Sequence, residues 1–299
     1  MAALELTVTH EQSGRTVKSL LKYEMHLSAS LTNRLKRTEN GLSVNGSRVF
    51  TNAVLREGDR LRVELDAAEE PSGLEPVPMD LDIVCEDEYF LVINKPAPLA
   101  SIPSSLVPDE PSAAAGLQYY LGRGASIHLV NRLDRGTTGL MAAAKNAYIH
   151  DRFRQMLHTD GFLRTYLAIC TGVPDPARGR IDYPIGRAPG SAIRRQVMPD
   201  GKDAVTEYRT LSQAGDFSLI ELTPRTGRTH QLRVHMASIG HPLAGDWLYG
   251  AEDRSLIPRP ALHAAKLTLA HPVTGEPLCL EAPLPRDMQT ILDRAGEQA

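Results

Sequence analysis

The chain has 299 residues, enough for one large and one small domain, and its apolar content of 42% is ordinary for a globular protein. The formal net charge of −3 excludes a uniformly basic nucleic-acid binder but leaves the local distribution of charge open. Three cysteines, far apart and without a C-x-x-C pair, argue against a disulfide framework and a structural zinc site. Neither a signal peptide nor a run of about 18 apolar residues is evident, so we expect a soluble, cytoplasmic protein with no membrane partner.

The N-terminal part of the chain changes sharply in charge. Residues 14–65 carry ten Lys or Arg and five Asp or Glu, whereas residues 66–88 carry nine Asp or Glu and no Lys or Arg. Three prolines and a glycine lie between residues 71 and 78, a composition typical of a linker. We therefore predict two domains joined by an acidic, proline-rich linker, with boundaries at 1–68, 69–80 and 81–299.

The first domain is predicted to contain short helices followed by strands. Ser30 is a suitable N-cap for a helix that carries basic residues after its first turn. Asn45 and Gly46 predict a hairpin turn, because both residues tolerate positive φ. The alternating residues 60–65 predict a strand after that hairpin.

The second domain mixes strands and helices without a regular repeat. Asn146 is a suitable N-cap, and Ile149, Phe153, Met156 and Leu157 recur at the spacing of a helix with one buried face. Strands are predicted over residues 89–94, 140–144, 165–170, 204–211 and 217–222, and a helix from residue 285 onward. Because no repeating βαβ pattern appears, the sequence favours an α+β fold.

One carboxylate lies between two arginines in a loop that ends in glycine. Asp134 lies two residues after Arg132 and directly before Arg135, and the loop leads into the apolar strand predicted at 140–144. Reactive side chains are often displayed on loops that a rigid scaffold holds in place. Asp134 is therefore a candidate catalytic residue, although an aspartate in this setting also commonly pairs with a neighbouring arginine.

A second polar motif, residues 223–235, is rich in Arg, His and small hydrogen-bonding side chains. Gly-His-Pro and Gly-Asp pairs follow it, at residues 240–246. This composition is typical of a surface that binds a polyanion. His230 and His235 are five residues apart and do not share a helix face as an i, i+4 pair does, so a zinc site is not indicated.

Together these motifs resemble the RluA/RluD-type family of RNA pseudouridine synthases over residues 81–285. The Arg-Leu-Asp loop, the Thr-Gly-Arg-Thr-His-Gln-Leu-Arg-Val-His run, and the Gly-His-Pro, Gly-Asp, Leu-His-Ala and His-Pro segments follow the family's order. The resemblance implies an α+β catalytic domain with a large mixed, mostly antiparallel sheet flanked by helices. It also implies that uridine in RNA is isomerised to pseudouridine without a cofactor.

The first domain resembles the small α/β RNA-binding domain named after ribosomal small-subunit protein four. The shared features are the basic helix, the Val-Asn-Gly turn and the closing strand after Gly-Asp. Solvated charges on a small α/β domain are the alternative interpretation of the same residues.

The resemblance implies roles for four residues. Asp134 falls on the catalytic aspartate, acting either as nucleophile on the sugar or as base at the adjacent ribose carbon. Arg228 falls on the guanidinium that keeps this carboxylate charged. Tyr166 falls on the tyrosine that stacks on the target base and helps to remove the proton from carbon 5. Arg132 falls on the residue that fills the gap left by the flipped-out uridine.

Further contacts with RNA are assigned to polar and basic residues of both domains. In the second domain they are Asn131, Lys95, His230 and Arg233, and in the first they are Arg34, Lys36 and Arg37. Asn131 stands where the family usually has histidine, so it offers hydrogen bonds but no positive charge. Whether Asn131 supports the loop or contacts RNA stays open at this point.

Two other classes of function compete with an isomerase. An RNA-binding or ribosome-assembly factor of the same fold, with weak activity, has no need to keep Asp134, Tyr166 and Arg228 together. A metal-dependent nuclease or deaminase needs a carboxylate cluster or a His/Cys ligand set, which the sequence lacks. The sequence therefore favours an isomerase. The resemblance implies large-subunit ribosomal RNA as its substrate ahead of transfer RNA, and a monomer is expected because no heptad pattern is evident.

Overall fold

A computed structural model describes residues 3–65, 73–104, 107, 110–122, 124–157 and 159–297. The N-terminal unit has its own sheet, built from β1 (Ala3–Thr7), β2 (Leu42–Val44), β3 (Ser47–Arg48) and β4 (Arg60–Glu64) in the order β1-β4-β2-β3. A 3₁₀ turn (His10–Gln12) and two helices, α1 (Val17–Tyr23) and α2 (Ala29–Leu35), lie between β1 and β2. The first element is thus a strand, which the sequence did not predict.

The N-terminal unit forms because short apolar patterns on its helices and strands meet in one core. The alternation along β4 buries Leu61 and Val63, which pack with leucines of both helices. The predicted hairpin turn is confirmed, since Asn45 and Gly46 both have positive φ, 51° and 82°. The predicted N-cap of α2 was wrong, because the hydroxyl of Ser28 accepts the hydrogen bond from Leu31 N.

The predicted linker falls partly on residues 69–72, which lie outside the described residues. Residues 73–82 contain neither helix nor strand. Val77 N donates to the carbonyl of Ala115, and Met79 packs closely over Gly116. This stretch therefore runs along the second unit rather than away from it, and the domain boundary stays a prediction.

The second unit is organised around one ten-stranded sheet with the order β10-β13-β14-β9-β15-β8-β6-β5, where β16 pairs with β15 and β7 with β8. The strands are β5 (Ile83–Glu86), β6 (Phe90–Lys95), β7 (His128–Leu129), β8 (Thr138–Ala144), β9 (Phe162–Thr171), β10 (Arg178–Asp182), β13 (Val205–Ala214), β14 (Phe217–Pro224), β15 (Leu262–Ala270) and β16 (Pro277–Glu281). A separate hairpin consists of β11 (Ile185–Arg187) and β12 (Arg195–Val197). The helices are α3 (Ala113–Leu121), α4 (Ala147–Met156), α5 (Gln231–Ser238) and α6 (Arg286–Glu297).

The central strands have continuous apolar sequences because helices cover the sheet and bury both faces of these strands. All seven residues of β8 are buried, and β6 buries five of six. The predicted helix after Asn146 is confirmed as α4, whose first turn is capped by the Asn146 carboxamide. The predicted α+β fold with a mixed, mostly antiparallel sheet is confirmed.

One parallel strand pair sets the place of the functional residues. β8 pairs in parallel with β15 through Thr138 and Gly139, whereas β9 pairs antiparallel with β15 and places Tyr166 opposite Ala264. Gly139 has φ +109°, and a Cβ there would lie 2.3 Å from the carbonyl oxygen of Ala264. β15 thus lies between β8 and β9, and Asp134 in the loop before β8 faces the same space as Tyr166 on β9.

The N-terminal unit contacts the second unit at α4. The hydroxyl of Tyr148, which is 6% exposed, donates a hydrogen bond to the carbonyl of Met25 at 3.0 Å. Apolar residues of both units belong to the same buried cluster, including Leu20 and Leu21 from α1 and Phe90 and Phe153 from the second unit. The two units therefore share part of their core.

Candidate active site

A cavity of about 620 Å³ opens at the junction of β7, β8, β9 and α5. Its walls come from three stretches, residues 100–104, 129–137 and 224–233, together with Leu157, Arg164, Tyr166 and Leu262. Both polar motifs of the sequence therefore line one cavity, although about a hundred residues separate them. The cavity brings together these predicted site residues: Asn131, Arg132, Asp134, Tyr166, Arg228, His230 and Arg233.

The loop that carries Asp134 is fixed from below. The hydroxyl of Ser101 donates to Leu133 O at 2.7 Å and accepts from Leu133 N at 2.9 Å. Leu99 N donates to the carbonyl of Arg135, and Thr137 N closes a turn onto Asp134 O at 3.0 Å. These bonds hold the backbone on both sides of Asp134, so the position of its carboxylate is set before any substrate binds.

A buried arginine completes the support of this loop. Arg259 is 7% exposed and donates from Nη1 to the carbonyl of Gly136 at 3.2 Å. Its Nε and Nη2 bind both oxygens of Asp287, at 2.7 and 2.8 Å. Because Asp287 lies in the first turn of α6, the C-terminal helix is tied to the loop of Asp134 through one guanidinium.

Asn131 supports the loop of Asp134 through both polar atoms of its side chain. Its side chain is 6% exposed, its Oδ1 accepts from Ala142 N at 2.8 Å, and its Nδ2 donates to Leu140 O at 3.3 Å. Both polar atoms therefore bind the backbone of β8. The assignment of Asn131 to RNA contact is corrected to loop support.

The positive charge that faces Asp134 belongs to Arg233. Arg233 Nη1 lies 3.7 Å from Asp134 Oδ2, and Arg233 is bound bidentately by the fully buried Asp246, with both distances at 2.7 Å. Arg228 instead is exposed and donates from Nε to the carbonyl of Asp203 at 2.9 Å. The predicted pairing of Arg228 with Asp134 is therefore wrong, and Arg233, assigned to RNA binding, is part of the buried ion-pair set.

Arg233 binds Asp246 more closely than Asp134, so the Asp134 carboxylate is left free to contact a substrate. Two nitrogens of Arg233 donate short hydrogen bonds to Asp246, whereas the third nitrogen lies at a longer distance from Asp134. Burial lowers the pKa of Arg233, but the hydrogen bonds and charge of Asp246, with the charge of Asp134, raise it overall. A permanently charged guanidinium thus faces a carboxylate whose side chain is 30% exposed to the cavity.

Tyr166 forms the wall of the cavity beside Asp134. It lies on β9, is 6% exposed, and lines the cavity together with Asp134 and Arg164. Burial raises the pKa of Tyr166, and the charge of Asp134 acts in the same direction. The phenol is therefore neutral at physiological pH, with a buried aromatic ring beside the carboxylate.

Lys95 does not face RNA. Its side chain is fully buried, and its Nζ donates to the carbonyls of Pro96 and Leu99, at 2.8 and 2.7 Å. Burial lowers the pKa of Lys95 to about 7, while Asp134 nearby raises it and Arg259 and Arg135 lower it. The assignment of Lys95 to RNA contact is corrected: it lies beneath the segment that supports the loop of Asp134.

His230 lies within the second polar motif, at the start of α5. It occupies the N-cap position in the left-handed conformation, with φ 57°, and its Nδ1 lies 2.8 Å from the hydroxyl of Tyr249. Burial lowers the pKa of His230, and the charges of Arg233 and Arg195 act in the same direction. His230 is half-buried and lines the cavity.

The remaining predicted residues lie at the mouth of the cavity or away from it. Arg132 is exposed at the mouth. Arg34 lies half-buried on α2, and Lys36 and Arg37 are exposed just after it. None of these three residues of the N-terminal unit is among the described residues that line the cavity.

The described part of the chain contains no group of three or more His, Cys, Asp or Glu side chains arranged to hold a metal ion. Within the same described ranges, no helix is both long and apolar enough to span a membrane.

Several supporting residues were not predicted from the sequence. Ser101, Arg259 and Tyr249 act through contacts with residues far away in the chain, and no local pattern marks them. Asp246 had a signal, the Gly-Asp pair after the second motif, but its partner depends on where α5 begins. The short helix α5 starts at a left-handed histidine rather than a Ser, Thr, Asp or Asn cap, so its first turn was not predicted.

A fixed carboxylate and a buried aromatic ring beneath a mouth edged by arginines are features that fit an enzyme acting on a nucleic acid. Comparison with known proteins identifies the family. The sequence model of the RNA pseudouridylate synthase family matches residues 89–238. The chain belongs to this family and is therefore an isomerase, an RNA pseudouridine synthase.

Individual relatives agree over most of the chain. The uncharacterized RNA pseudouridine synthase YjbO of Bacillus subtilis is 40% identical over 271 residues, which cover 90% of this chain and 95% of the relative. Ribosomal large subunit pseudouridine synthase D of Escherichia coli is 38% identical over 251 residues, covering 79% of this chain and 76% of the relative. The structure of human RNA pseudouridylate synthase domain containing 4 is 28% identical with a TM-score of 0.56, covering 72% of this chain and 92% of the human one.

Proposed function

We propose that the protein converts a uridine of ribosomal RNA to pseudouridine, with Asp134 as the catalytic carboxylate. The observation that carries this proposal is the ion-pair set at the base of the cavity. Arg233 is held by Asp246 and faces Asp134 at 3.7 Å, while the loop of Asp134 is fixed on both sides. A preorganised carboxylate of this kind needs little reorganisation when it acts on a bound sugar.

The reaction moves one bond and one proton within the nucleoside. The bond from ribose carbon 1′ to ring nitrogen 1 breaks, the uracil rotates, and ring carbon 5 bonds to carbon 1′. Carbon 5 then loses its proton, and nitrogen 1 carries one in the product, so atoms and electrons balance without a co-reactant. Asp134 serves either as the nucleophile at carbon 1′ or as the base at carbon 2′.

Tyr166 is proposed to hold the uracil during the rotation. Its ring forms the buried wall beside Asp134, and stacking on an aromatic ring is worth about 1–3 kcal/mol per base. Burial keeps the phenol protonated. The neutral hydroxyl accepts a proton from carbon 5 only if it passes its own proton on, so stacking is the role that its burial supports most directly.

The cations at the mouth are proposed to bind the RNA around the target. Arg132 and Arg228 are exposed and line the opening, as phosphate-binding or base-stacking arginines require. Arg132 is proposed to enter the space left by the flipped uridine, and His230 to contact the RNA backbone beside it.

The N-terminal unit is proposed to act as an RNA-binding module that resembles the domain of ribosomal small-subunit protein four. Its supporting features are the basic residues on and after α2, namely Arg34, Lys36 and Arg37. Ribosomal RNA is favoured because a relative is named ribosomal large subunit pseudouridine synthase D. On this proposal the enzyme works in the cytoplasm, as a monomer whose cavity is assembled from one chain.

The test is release of tritium from RNA labelled at uracil carbon 5. We expect the purified protein to release tritium from ribosomal RNA and to create one or a few pseudouridines that sequencing can map. Release from transfer RNA alone would contradict the proposed substrate. Binding to ribosomal RNA without any release would contradict the catalytic proposal and favour an assembly factor.

The same assay distinguishes the two roles of Asp134. Substrate carrying deuterium at ribose carbon 2′ should slow the single-turnover rate if Asp134 removes that proton. An unchanged rate would identify attack at carbon 1′ instead.

A further inference from the structure

Tyr249 lies between the base of the cavity and the hairpin formed by β11 and β12. Its hydroxyl accepts a hydrogen bond from the backbone N–H of Arg195 on β12 at 2.9 Å. The same hydroxyl lies 2.8 Å from Nδ1 of His230. The guanidinium carbon of Arg233 lies 5.0 Å from the centroid of the Tyr249 ring, a cation–π distance. One side chain thus contacts the hairpin, the start of α5 and the arginine that faces Asp134.

The backbone donor fixes the direction of one of these hydrogen bonds. Because Arg195 N–H can only donate, the Tyr249 oxygen accepts from it, and the Tyr249 hydrogen is available to His230 Nδ1. Donation to Nδ1 corresponds to a neutral His230 ring with its hydrogen on Nε2. Burial lowers the pKa of His230, in agreement with a neutral ring at neutral pH.

The hairpin reaches from Tyr249 to an exposed basic surface. Arg187 and Arg194 are exposed on it, and Arg195 is half-buried. Ile185 at its base packs in one cluster with Val234 of α5, with Tyr249 against that cluster. The hairpin is therefore connected to α5 and Arg233 through apolar packing and through the Tyr249 hydroxyl.

We propose that Tyr249 is a positioning residue that couples the hairpin of β11 and β12 to the ion pair of Arg233 and Asp134. On this account, RNA held by the hairpin arginines orients Tyr249, and the Tyr249 ring holds the Arg233 guanidinium against Asp134. This inference rests on the proposed function, since it assumes that RNA occupies the hairpin surface during turnover. Tyr249 itself does not touch the reacting atoms.

The coupling has a pH dependence that a purely structural tyrosine lacks. Protonation of His230 places a hydrogen on Nδ1, so the Tyr249 oxygen faces two donors and its own hydrogen loses its acceptor. The charged groups that face His230 are Asp134, Arg233, Asp246 and Arg195. Because the neutral form of His230 completes the link, the link is intact at neutral pH and is lost as the pH falls through the lowered pKa.

The test compares Tyr249→Phe with a matched control, Tyr208→Phe. Tyr208 is also half-buried and its hydroxyl donates to a carbonyl, that of Pro176 at 3.2 Å, outside the cavity. For Tyr249→Phe, which removes the hydrogen bonds to Arg195 N and His230 Nδ1, we expect the single-turnover rate at neutral pH to fall about tenfold. RNA affinity should stay within about twofold, because the hydroxyl does not contact RNA. The fall in rate at acidic pH should be weaker than in the wild type.

A second measurement does not depend on activity. Nitrogen-15 NMR of the imidazole rings should show His230 with its hydrogen on Nε2 at neutral pH, and Tyr249→Phe should raise the pKa of His230. Wild-type protein that is inactive on ribosomal RNA would contradict the proposed function but not the hydrogen-bond polarity. The coupling would be overturned by an unchanged His230 titration, by a wild-type rate in Tyr249→Phe, or by an equal loss in Tyr208→Phe.

Discussion

The cavity floor, formed by Asp134, Tyr166 and Arg233, differs from the cavity rim, formed by Arg132 and Arg228. Tyr166 and Arg233 are each 6% exposed, and Arg233 is paired with Asp246 of the same chain. Both rim arginines, in contrast, are exposed. Groups that act on the nucleoside are thus fixed in advance, and groups that meet RNA stay at the surface where phosphate can reach them. The two regions should respond differently to substitution: the floor in rate, and the rim in affinity.

The largest effect is expected from the floor residue that meets the sugar. Asp134→Asn keeps the shape of the side chain but removes its charge, so the single-turnover rate should fall by at least about a thousandfold. RNA affinity and the unfolding transition should stay near those of the wild type. The matched control is Asp160→Asn, whose side chain is 92% exposed outside the cavity lining, and it should keep full activity. Full turnover in a folded Asp134→Asn protein would remove Asp134 from the mechanism.

The support of the floor can be tested at a distance from the chemistry. Asp287→Ala removes both hydrogen bonds to Arg259, which binds the loop carbonyl of Gly136, and also a carboxylate in the first turn of α6. We expect the free energy of unfolding to fall by about 2–3 kcal/mol. Denaturant unfolding measures this change, with Asp293→Ala on the exposed side of the same helix as control. Equal losses in the two variants would show that the tie to the loop contributes nothing.

Sequence patterns predicted the parts of this molecule whose signals are local. The buried runs of β6 and β8, the capped helix α4 and the Asn45-Gly46 turn depend on neighbours within a few residues, and all were predicted. The three-residue strands β11 and β12 were missed because they are too short to show a period.

The site was predicted only in part, because some of its contacts leave no local signal in the sequence. Asp134 and Tyr166 were placed in one site, but the choice between Arg228 and Arg233 as partner of Asp134 depends on the start of α5. That helix buries six consecutive residues, including Arg233, so it shows no amphipathic pattern, and His230 gives no cap signal. Lys95 was assigned to RNA contact, and its burial was not predicted because lysine is rarely buried and its carbonyl partners are contacts that a sequence does not display.

Lys95, which lies beneath the segment that supports the loop of Asp134, should make the stability of the protein depend on pH. Its pKa is about 7 in the folded protein, against 10.5 for an ordinary lysine, so the unfolded state binds more protons between these values. The unfolding free energy of the wild type, relative to Lys95→Met, should therefore rise with pH from 7 to 10.5, by up to about 1.4 kcal/mol per unit. Denaturant unfolding at several pH values measures the difference. Parallel profiles for the two proteins would contradict a neutral buried lysine, and exposed Lys202→Met is the control that should show no such slope.

The smallest effect is expected at the rim. Arg132→Gln removes one exposed cation, so RNA affinity should fall by about fivefold to tenfold and the salt dependence of binding should weaken by about one ion. The rate at saturating RNA should change less than the affinity. A large loss of rate with unchanged affinity would instead place Arg132 among the residues of the floor.

One matched pair of variants tests the distinction between floor and rim most directly. Arg233→Gln and Arg228→Gln make the same chemical change five residues apart, one beside Asp134 and one at the surface. Single-turnover rates at saturating RNA should fall by about a hundredfold or more for Arg233→Gln, because a preorganised charged donor no longer faces the catalytic carboxylate, and by less than about fivefold for Arg228→Gln. The buried Asp246 keeps its two hydrogen bonds from a guanidinium only in Arg228→Gln, so Arg233→Gln should also be the less stable protein. A greater loss of rate in Arg228→Gln than in a folded Arg233→Gln would contradict the assignment of Arg233 as the cation of the catalytic aspartate.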